Sequence, residues 1–300
     1  MLLNHSTHEK YKNYQLIILV NLSVIMWLIN IISPDLFSPK FQFLFLLITV
    51  VGIGIPHGYF DFLIAKRLFS ENKYWLVKFI FIYTFISIIY LTLWLYYPML
   101  SLLIFLLLAI YHFGLEDSEN VDKPNIIVLV ALGSVPVISP ILFHLNEVFM
   151  LFGILVNASM NVSDINSIYV LLYLSLIFGL IFIFSKKTLP LYVLLFLNFL
   201  FLPPIISFIL YFCFHHSIRH YLSSLSDKNI ISSDLPIMNL LIVLILFTII
   251  FSLLVISFMM GTYNYSLEQV IIKYIFITLA CLTLPHLLLN IIYEKTYKQL

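Results

Sequence analysis

The chain has 300 residues, of which 62% are hydrophobic and only 10% are charged, and its mean hydropathy is +1.09. A water-soluble domain of this size needs far more charge to cover its surface, so the composition predicts an integral membrane protein. The formal net charge of +1 and the absence of a long basic run in the sequence give no indication of a nucleic-acid or acidic partner.

Apolar runs predict an all-α polytopic membrane bundle, because a helix needs about 20 apolar residues to cross a hydrocarbon core of about 30 Å. The ten predicted spans are 14–33, 41–58, 75–97, 99–115, 126–144, 167–185, 189–202, 204–222, 237–260 and 270–292. The seventh span is short, so an eight-helix variant with re-entrant segments is the alternative. We predict a single membrane domain over 14–292, with polar tails at 1–13 and 293–300.

The distribution of lysine and arginine favours the ten-span topology. We place the N-terminal tail, which carries Lys10 and Lys12, in the cytoplasm and alternate the spans from there. The cytoplasmic side then also carries Lys66, Arg67, Lys73, Lys123, Lys186, Lys187, Lys228, Lys295 and Lys298. The opposite side carries only Lys40 and Lys273. The positive-inside rule therefore predicts a multi-pass protein of the cell membrane with a cytoplasmic N-terminus.

Six of the nine histidines lie in four short motifs on four different spans. The motifs are Pro-His-Gly at 56–58, Tyr-His-Phe-Gly at 111–114, His-His-x-x-Arg-His at 215–220 and Pro-His at 285–286. In the ten-span topology all four motifs lie at a similar depth near the cytoplasmic side. Because ionisable side chains are costly inside a bilayer, they mark functional sites there. A bound metal ion is the simplest explanation for their convergence.

Helical spacing narrows the candidate ligands. His216 and His220 are four residues apart, so they share one helix face and can bind one ion. His57 and His112 would complete a set of four imidazoles, which suits iron, zinc, copper or nickel without distinguishing among them. His215 points about 100° away from His216, so it suits a supporting or substrate-contacting role better than that of a ligand.

Carboxylates follow two of the candidate ligands. Asp61 lies one helical turn beyond His57, and Glu116 lies one turn beyond His112, with Asp117 next to it. A carboxylate at such a position can accept the distal N–H of a ligating histidine and fix its tautomer.

Other neighbours of the histidines also fit a site. Gly58 and Gly114 each follow a histidine directly, where the missing side chain allows close approach of backbone or substrate. Arg219 has a different interpretation, because its long side chain can extend to the lipid headgroups.

Together the four motifs resemble those of the Brp/Blh family of bacterial and archaeal membrane β-carotene 15,15'-dioxygenases. All four occur in order, and the likeness covers nearly the whole chain except the segments 116–124 and 145–166. The resemblance implies an oxygenase that uses Fe2+ and O2 to split the central 15,15' double bond of β-carotene, a substrate dissolved in the lipid bilayer. The products would be two molecules of all-trans-retinal, which would serve a microbial rhodopsin.

The resemblance also implies residue roles. The implied iron ligands are His57, His112, His216 and His220. The implied supporting or substrate-contacting residues are His215, Asp61, Asp117, Arg219 and His286.

Two other functions are consistent with histidines in membrane helices. Membrane di-iron desaturases and hydroxylases hold two ions and need more histidines than the six at this depth, usually in repeated blocks. Here only one His-x-x-x-His block is present, at 216–220. A metal or proton transporter usually places its site near the bilayer midplane, whereas these histidines lie close to one surface.

Overall fold

The protein is a bundle of α-helices. The computed structural model describes residues 5–118, 121, 125–160, 167–184, 186–226, 237–262 and 265–297, and within these ranges its regular structure is helical, without a strand. In chain order the α-helices are α1 (His5–Ile32), α2 (Pro39–Thr49), α3 (Phe60–Phe69), α4 (Trp75–Tyr96), α5 (Pro98–Asp117), α6 (Ile126–Phe143), α7 (Leu145–Val156), α8 (Ser167–Phe184), α9 (Leu189–Phe201), α10 (Pro204–Ile209), α11 (Ile218–Ser226), α12 (Ile237–Thr262) and α13 (Leu267–Tyr297).

The predicted class, a helical membrane bundle, is confirmed. Within the described residues, seven helices are long and apolar enough to cross a membrane: Lys10–Ile32, Pro39–Phe69, Trp75–Tyr96, Pro98–Asp117, Ile126–Phe143, Ser167–Phe184 and Leu267–Tyr297. The other three predicted spans are also helical. They correspond to the short helix α9, to the combined segment from α10 to α11, and to α12. The number of crossings remains a prediction.

Two regions that we predicted to lie outside the membrane spans contain helix. The predicted loop 145–166 begins with α7, which is apolar but only 12 residues long, too short to register as a span. Helix α1 begins at His5, inside the predicted polar tail 1–13. Residues 1–4, 161–166 and 298–300 lie outside the described residues, as do Lys123 and Lys228, which entered the charge count.

Nearly every helix here is apolar around its whole circumference, so composition does not distinguish central helices from peripheral ones. Their buried fractions do. In the most apolar window of α6, 61% of the residues are buried, and in that of α13, 50%. The corresponding shares are 6% in α4 and 11% in α8. Helix α13 packs against α2, α3, α4, α7 and α12, so it forms the centre of the bundle.

Helices α5 and α6 are in very close contact through two glycines. A Cβ atom added at Gly114 would collide with the carbonyl oxygen of Leu129, and one added at Gly133 would collide with that of Ile110. Small residues at such contacts let the backbones of membrane helices approach closely. The contact holds the end of α5, which carries His112, firmly against α6.

Irregular winding occurs next to two of the histidine motifs. The segment Val50–Gly54 is π-helical and continues into a 3-10 turn, Ile55–Tyr59, whose Pro56 has no backbone N–H to donate. A second π-helical segment, Leu210–Ser217, joins α10 to α11. Wide turns of this kind change the direction in which side chains project and are frequent at functional sites.

Candidate metal centre

Five buried histidines from four parts of the chain meet in the interior of the bundle. We call them the histidine cluster: His57, His112, His216, His220 and His286. The 3-10 turn before α3, the end of α5, the π-helical segment with α11, and α13 each contribute at least one of them. The separation between neighbouring ring centres runs from 4.9 to 5.5 Å.

Three of these histidines have the spacing of ligands to a single ion. His57, His112 and His216 each offer one ring nitrogen, and these three nitrogens all lie within 4.8 Å of one another. The Nε2 atoms of His112 and His216 are 3.2 Å apart. Since imidazole nitrogens bind transition metals at about 2.0–2.1 Å, two ligands of one ion lie roughly 3–4 Å apart. The observed spacing is close to this.

His220, the fourth predicted ligand, lies at the edge of this triad. Its ring centre is 5.4 Å from that of His57 and 5.4 Å from that of His286. Its Nδ1 is 2.7 Å from Glu116 Oε1. The structure therefore brings all four predicted ligands into one cluster, with three of them in the tightest group.

The hydrogen bonds around the cluster leave nitrogen lone pairs available. A carbonyl or carboxylate oxygen accepts, so Nδ1 of His57 donates to the Gly54 carbonyl and Nδ1 of His220 donates to Glu116. Nε2 of each ring then carries the lone pair. Nε2 of His220 and Nδ1 of His216 are buried and have no hydrogen-bond partner among the described residues. Because a buried nitrogen lone pair without a partner is costly, a metal ion bound at Nε2 of His220 fits this arrangement.

His286 has different surroundings from the other four. Its Nδ1 donates to Asp61 Oδ1 at 2.7 Å, and its Nε2 accepts from the Asn290 side-chain amide at 3.0 Å. The other oxygen of Asp61 accepts from the Tyr83 hydroxyl at 2.8 Å. Both ring nitrogens of His286 are therefore occupied, although its ring centre is only 5.1 Å from that of His112.

His215 lies outside the cluster. Its Nε2 is 3.1 Å from Asp117 Oδ1, and the other oxygen of Asp117 accepts from the hydroxyls of Tyr192 and Tyr211. Arg219 is buried rather than extended to the headgroups, and it interacts electrostatically with Asp117. These residues form a buried polar network behind the cluster.

Two carboxylates form hydrogen bonds with histidines other than the ones that they follow in the sequence. Asp61 follows His57 but pairs with His286, and Glu116 follows His112 but pairs with His220. Several polar partners carried no sequence motif and were not predicted: Gln15, Tyr83, Tyr192, Tyr211 and Asn290. The one signal available for Gln15 was a polar amide in an otherwise apolar span.

An apolar cavity of about 440 Å³ adjoins the cluster. His57, His112 and His286 form part of its wall, so the cluster borders the cavity directly. Most of the remaining wall is aromatic or aliphatic, and includes Phe62, Phe79, Phe105, Phe113, Phe208, Phe212, Leu279 and Leu282. Such a cavity suits an apolar ligand, with the few polar groups gathered on the side of the histidines.

Comparison with known proteins identifies the family of the chain. A sequence model of the β-carotene 15,15'-dioxygenase family matches residues 48–293, which include all six histidines of the four motifs. The chain belongs to this family. A β-carotene 15,15'-dioxygenase from an uncultured marine bacterium, 66A03, is 31% identical over an alignment of 262 residues that covers 81% of this chain and 90% of that protein. No solved structure matches the chain. The family membership confirms the resemblance drawn from the motifs.

Proposed function

We propose that this protein splits the central 15,15' double bond of β-carotene with O2 to give two molecules of all-trans-retinal, using an iron ion held by histidines. The observation that carries the proposal is the buried histidine triad in the wall of an apolar cavity, in a chain of the β-carotene 15,15'-dioxygenase family. Cleavage of a carbon–carbon double bond of a conjugated polyene by O2 is redox chemistry, which a redox-active metal supplies and a nucleophile or an acid–base pair does not.

The proposed iron ligands are His57, His112, His216 and His220. When bound, Fe2+ supplies the activation of O2. The protein holds the imidazoles ready for it: the Gly54 carbonyl and Glu116 each accept from Nδ1 of one ring and so direct the lone pair to Nε2. Such outer partners fix ring orientation and raise ligand basicity.

The cavity is the proposed site for the polyene. Its aromatic wall offers ring faces and edges to a conjugated apolar chain, and burial of that chain supplies the binding free energy. Phe79 and Ile80 in the wall belong to α4, which has the smallest buried share of the seven long apolar helices in the described part of the chain. A single helix thus separates the cavity from lipid, which supports entry of β-carotene from the bilayer.

His286 has a proposed positioning role at the cavity wall. Because both of its nitrogens are hydrogen-bonded, it offers no lone pair to the metal in this arrangement. Asp61 and Asn290 hold its ring against the substrate side of the cluster. We propose that His286 shapes the reaction end of the cavity and keeps the polyene beside the ligands.

The setting of the enzyme is also proposed. The charge distribution supports a location in the cell membrane with the N-terminus and the histidine cluster toward the cytoplasm. Retinal is insoluble in water, so release into the same bilayer supports transfer to a microbial rhodopsin as the partner that consumes it.

The alternatives have less support. Among the described residues, one group of three metal-ligating side chains was found, whereas a di-iron desaturase or hydroxylase needs a second set. A metal or proton transporter needs a polar path, but the cavity beside the cluster is lined mainly by apolar side chains.

A bacterial strain that accumulates β-carotene tests the proposal. Expression of the protein should bleach the orange cells and produce retinal, measured by chromatography, and the purified protein should hold one iron per polypeptide. Single changes of His57, His112, His216 or His220 to Ala should abolish both. His144→Ala is the matched control, because His144 lies outside the cluster and contacts the Phe199 carbonyl. Full activity in all four variants, or two irons per polypeptide, would contradict the proposal.

A further inference from the structure

A buried lysine lies at the other end of α13 from the histidine cluster. Lys273 is only 5% exposed and precedes His286 by thirteen positions, a distance of about 20 Å along the helix. Buried charges in proteins are normally paired with an opposite charge, because removing an ammonium group from water is costly. Lys273 is therefore expected to have a negatively charged partner.

The observed partners of Lys273 are neutral. Its Nζ donates to Asn157 Oδ1 at 2.6 Å and lies 5.0 Å from the centre of the Tyr265 ring. In the part of the chain that the structure describes, no carboxylate forms an ion pair with it. Among the described residues, the ammonium is thus held in place by dipoles rather than by a carboxylate.

Lys273 forms part of the wall of a second cavity, a cleft of about 520 Å³. Helix α7, the residues that follow it and the first turns of α13 enclose this cleft. The polar residues of the wall are Asn146, Asn157, Ser159, Gln269 and Lys273. The apolar residues include Phe149, Met150, Ile154 and Met160. A wall that combines the two suits a ligand with an anionic head and an apolar body.

The backbone at Asn157 is adapted to this arrangement. Asn157 ends α7 in the left-handed conformation, with φ of 56°, and the Ala158 N–H donates to the Gly153 carbonyl. Asparagine tolerates this conformation better than most residues do. The turn brings the carboxamide of Asn157 against the Lys273 ammonium at the cleft.

We propose that this cleft binds the phosphate group of an anionic phospholipid, with Lys273 as the counter-charge. The lysine lies six residues after the start of α13, and the predicted topology places this end of α13 near the headgroups on the side opposite the N-terminal tail. The apolar wall is available to the glycerol and the first acyl carbons, and Met150, which is 61% exposed, extends it to the lipid surface. The site is separate from the histidine cluster and would tie α7 to α13 through a lipid.

A structural role for Lys273 makes a different prediction. A lysine beside the carboxyl end of a helix is stabilised by the partial negative charge there, and Lys273 meets the end of α7. If that were its whole role, the ammonium would stabilise the bundle equally in any lipid.

The test compares thermal unfolding of the full-length protein in nanodiscs of phosphatidylcholine alone and of phosphatidylcholine with phosphatidylglycerol. We expect the anionic lipid to raise the unfolding midpoint of the natural protein by about 3 °C or more. Lys273→Met keeps the length of the side chain without its charge and should lose this rise. Lys40→Met removes an exposed cation and should keep it.

Several outcomes would overturn the proposal. They are an equal midpoint of the natural protein in both lipids, or a full rise in Lys273→Met. A rise produced by inorganic phosphate in pure phosphatidylcholine would assign the cleft to a free anion instead of a lipid. If Lys273→Met does not fold, the natural protein and Lys273→Arg still decide the question, because both carry the charge and both should respond to phosphatidylglycerol.

Discussion

Two successive carboxylates at the end of α5 pair with two histidines, and the two pairs differ in what lies beyond them. Glu116 Oε1 is 2.7 Å from His220 Nδ1, and Asp117 Oδ1 is 3.1 Å from His215 Nε2. His220 belongs to the histidine cluster, whereas His215 does not. Because the side chains of successive helical residues point about 100° apart, Glu116 and Asp117 reach two separate sites from one turn of α5.

The surroundings of the Asp117 pair are closed. Asp117 is 1% exposed, and its second oxygen accepts from Tyr192 at 2.7 Å and from Tyr211 at 3.1 Å. On the other side, the Gln15 amide donates to the His215 carbonyl at 2.6 Å. The network links α1, α5, α9 and the π-helical segment, so we expect it to stabilise the fold.

The surroundings of the Glu116 pair are open toward the cluster. The side chain of Glu116 is 20% exposed, and the distal nitrogen of His220 has no hydrogen-bond partner among the described residues. We therefore propose that one kind of hydrogen-bonded carboxylate–histidine pair has two uses here. The pair of Asp117, whose oxygens have several partners, would hold helices together, and the pair of Glu116, whose histidine has an unpaired distal nitrogen, would support a bound ion.

The largest contrast is expected between His216→Ala and His215→Ala, which change neighbouring residues. His216→Ala removes a proposed ligand from the triad, so retinal formation and bound iron should both be lost. His215→Ala should lower the unfolding midpoint but leave iron bound to the folded fraction. Iron per folded polypeptide, measured by elemental analysis after size-exclusion chromatography, separates the two. Loss of iron in His215→Ala alone would reverse the proposed assignment.

Gly114→Ala should disturb both pairs together. Gly114 lies two residues before Glu116, and a Cβ there would collide with the Leu129 carbonyl of α6, which is backbone and cannot rotate away. We expect a loss of at least about 3 kcal/mol in the free energy of unfolding, measured by denaturant titration in detergent.

Gly58→Ala is the matched control for that change. Gly58 also follows a histidine directly, but a Cβ added there meets nothing within 4 Å. Its free energy of unfolding should stay within about 0.5 kcal/mol of that of the natural protein. Equal losses in the two variants would show that the contact between α5 and α6 is not what holds the carboxylates in place.

Asp117→Asn tests the closed pair. The amide keeps the shape of the side chain but removes the charge that three donors share, so we expect a loss of about 2–3 kcal/mol in the free energy of unfolding. Iron per folded polypeptide should be unchanged. Tyr192→Phe, which removes one of the donors, should cost about 1 kcal/mol. A normal unfolding midpoint in Asp117→Asn would contradict the structural role.

The sequence predicted which histidines meet but not how they are supported. Apolar length and charge placed four motifs at one depth, and those rules depend only on the bilayer. These rules could not predict the partner of Asp61. Spacing along one helix identifies neighbours such as His57, but the observed partner, His286, belongs to α13 and lies near Asp61 because the two helices pack together. The π-helical winding at 210–217 likewise has no residue signature that could have been recognised.

The helices, too, were predicted from the sequence only in part. The predicted boundary between spans 75–97 and 99–115 agrees with the break between α4 and α5, and α5 begins at Pro98, a residue that is well suited to the first position of a helix. Helix α7 lies in a region that we predicted to connect two spans, and its 12 residues are fewer than a span requires. Its position follows from packing against α13, which a length criterion along the chain does not detect.

Glu116→Gln tests the open pair and is expected to have the smallest effect. Gln keeps an oxygen that accepts from His220 Nδ1, so the ring stays in place and the free energy of unfolding of the metal-free protein should be almost unchanged. What is lost is the negative charge that raises the basicity of the distal nitrogen. We expect iron to bind about 10–100-fold more weakly, measured by competition with a chelator. Asp117→Asn serves as the control in that titration, because its pair does not include a cluster histidine. If the two variants lost iron affinity equally, the two pairs would share one function, and the distinction between them would fail.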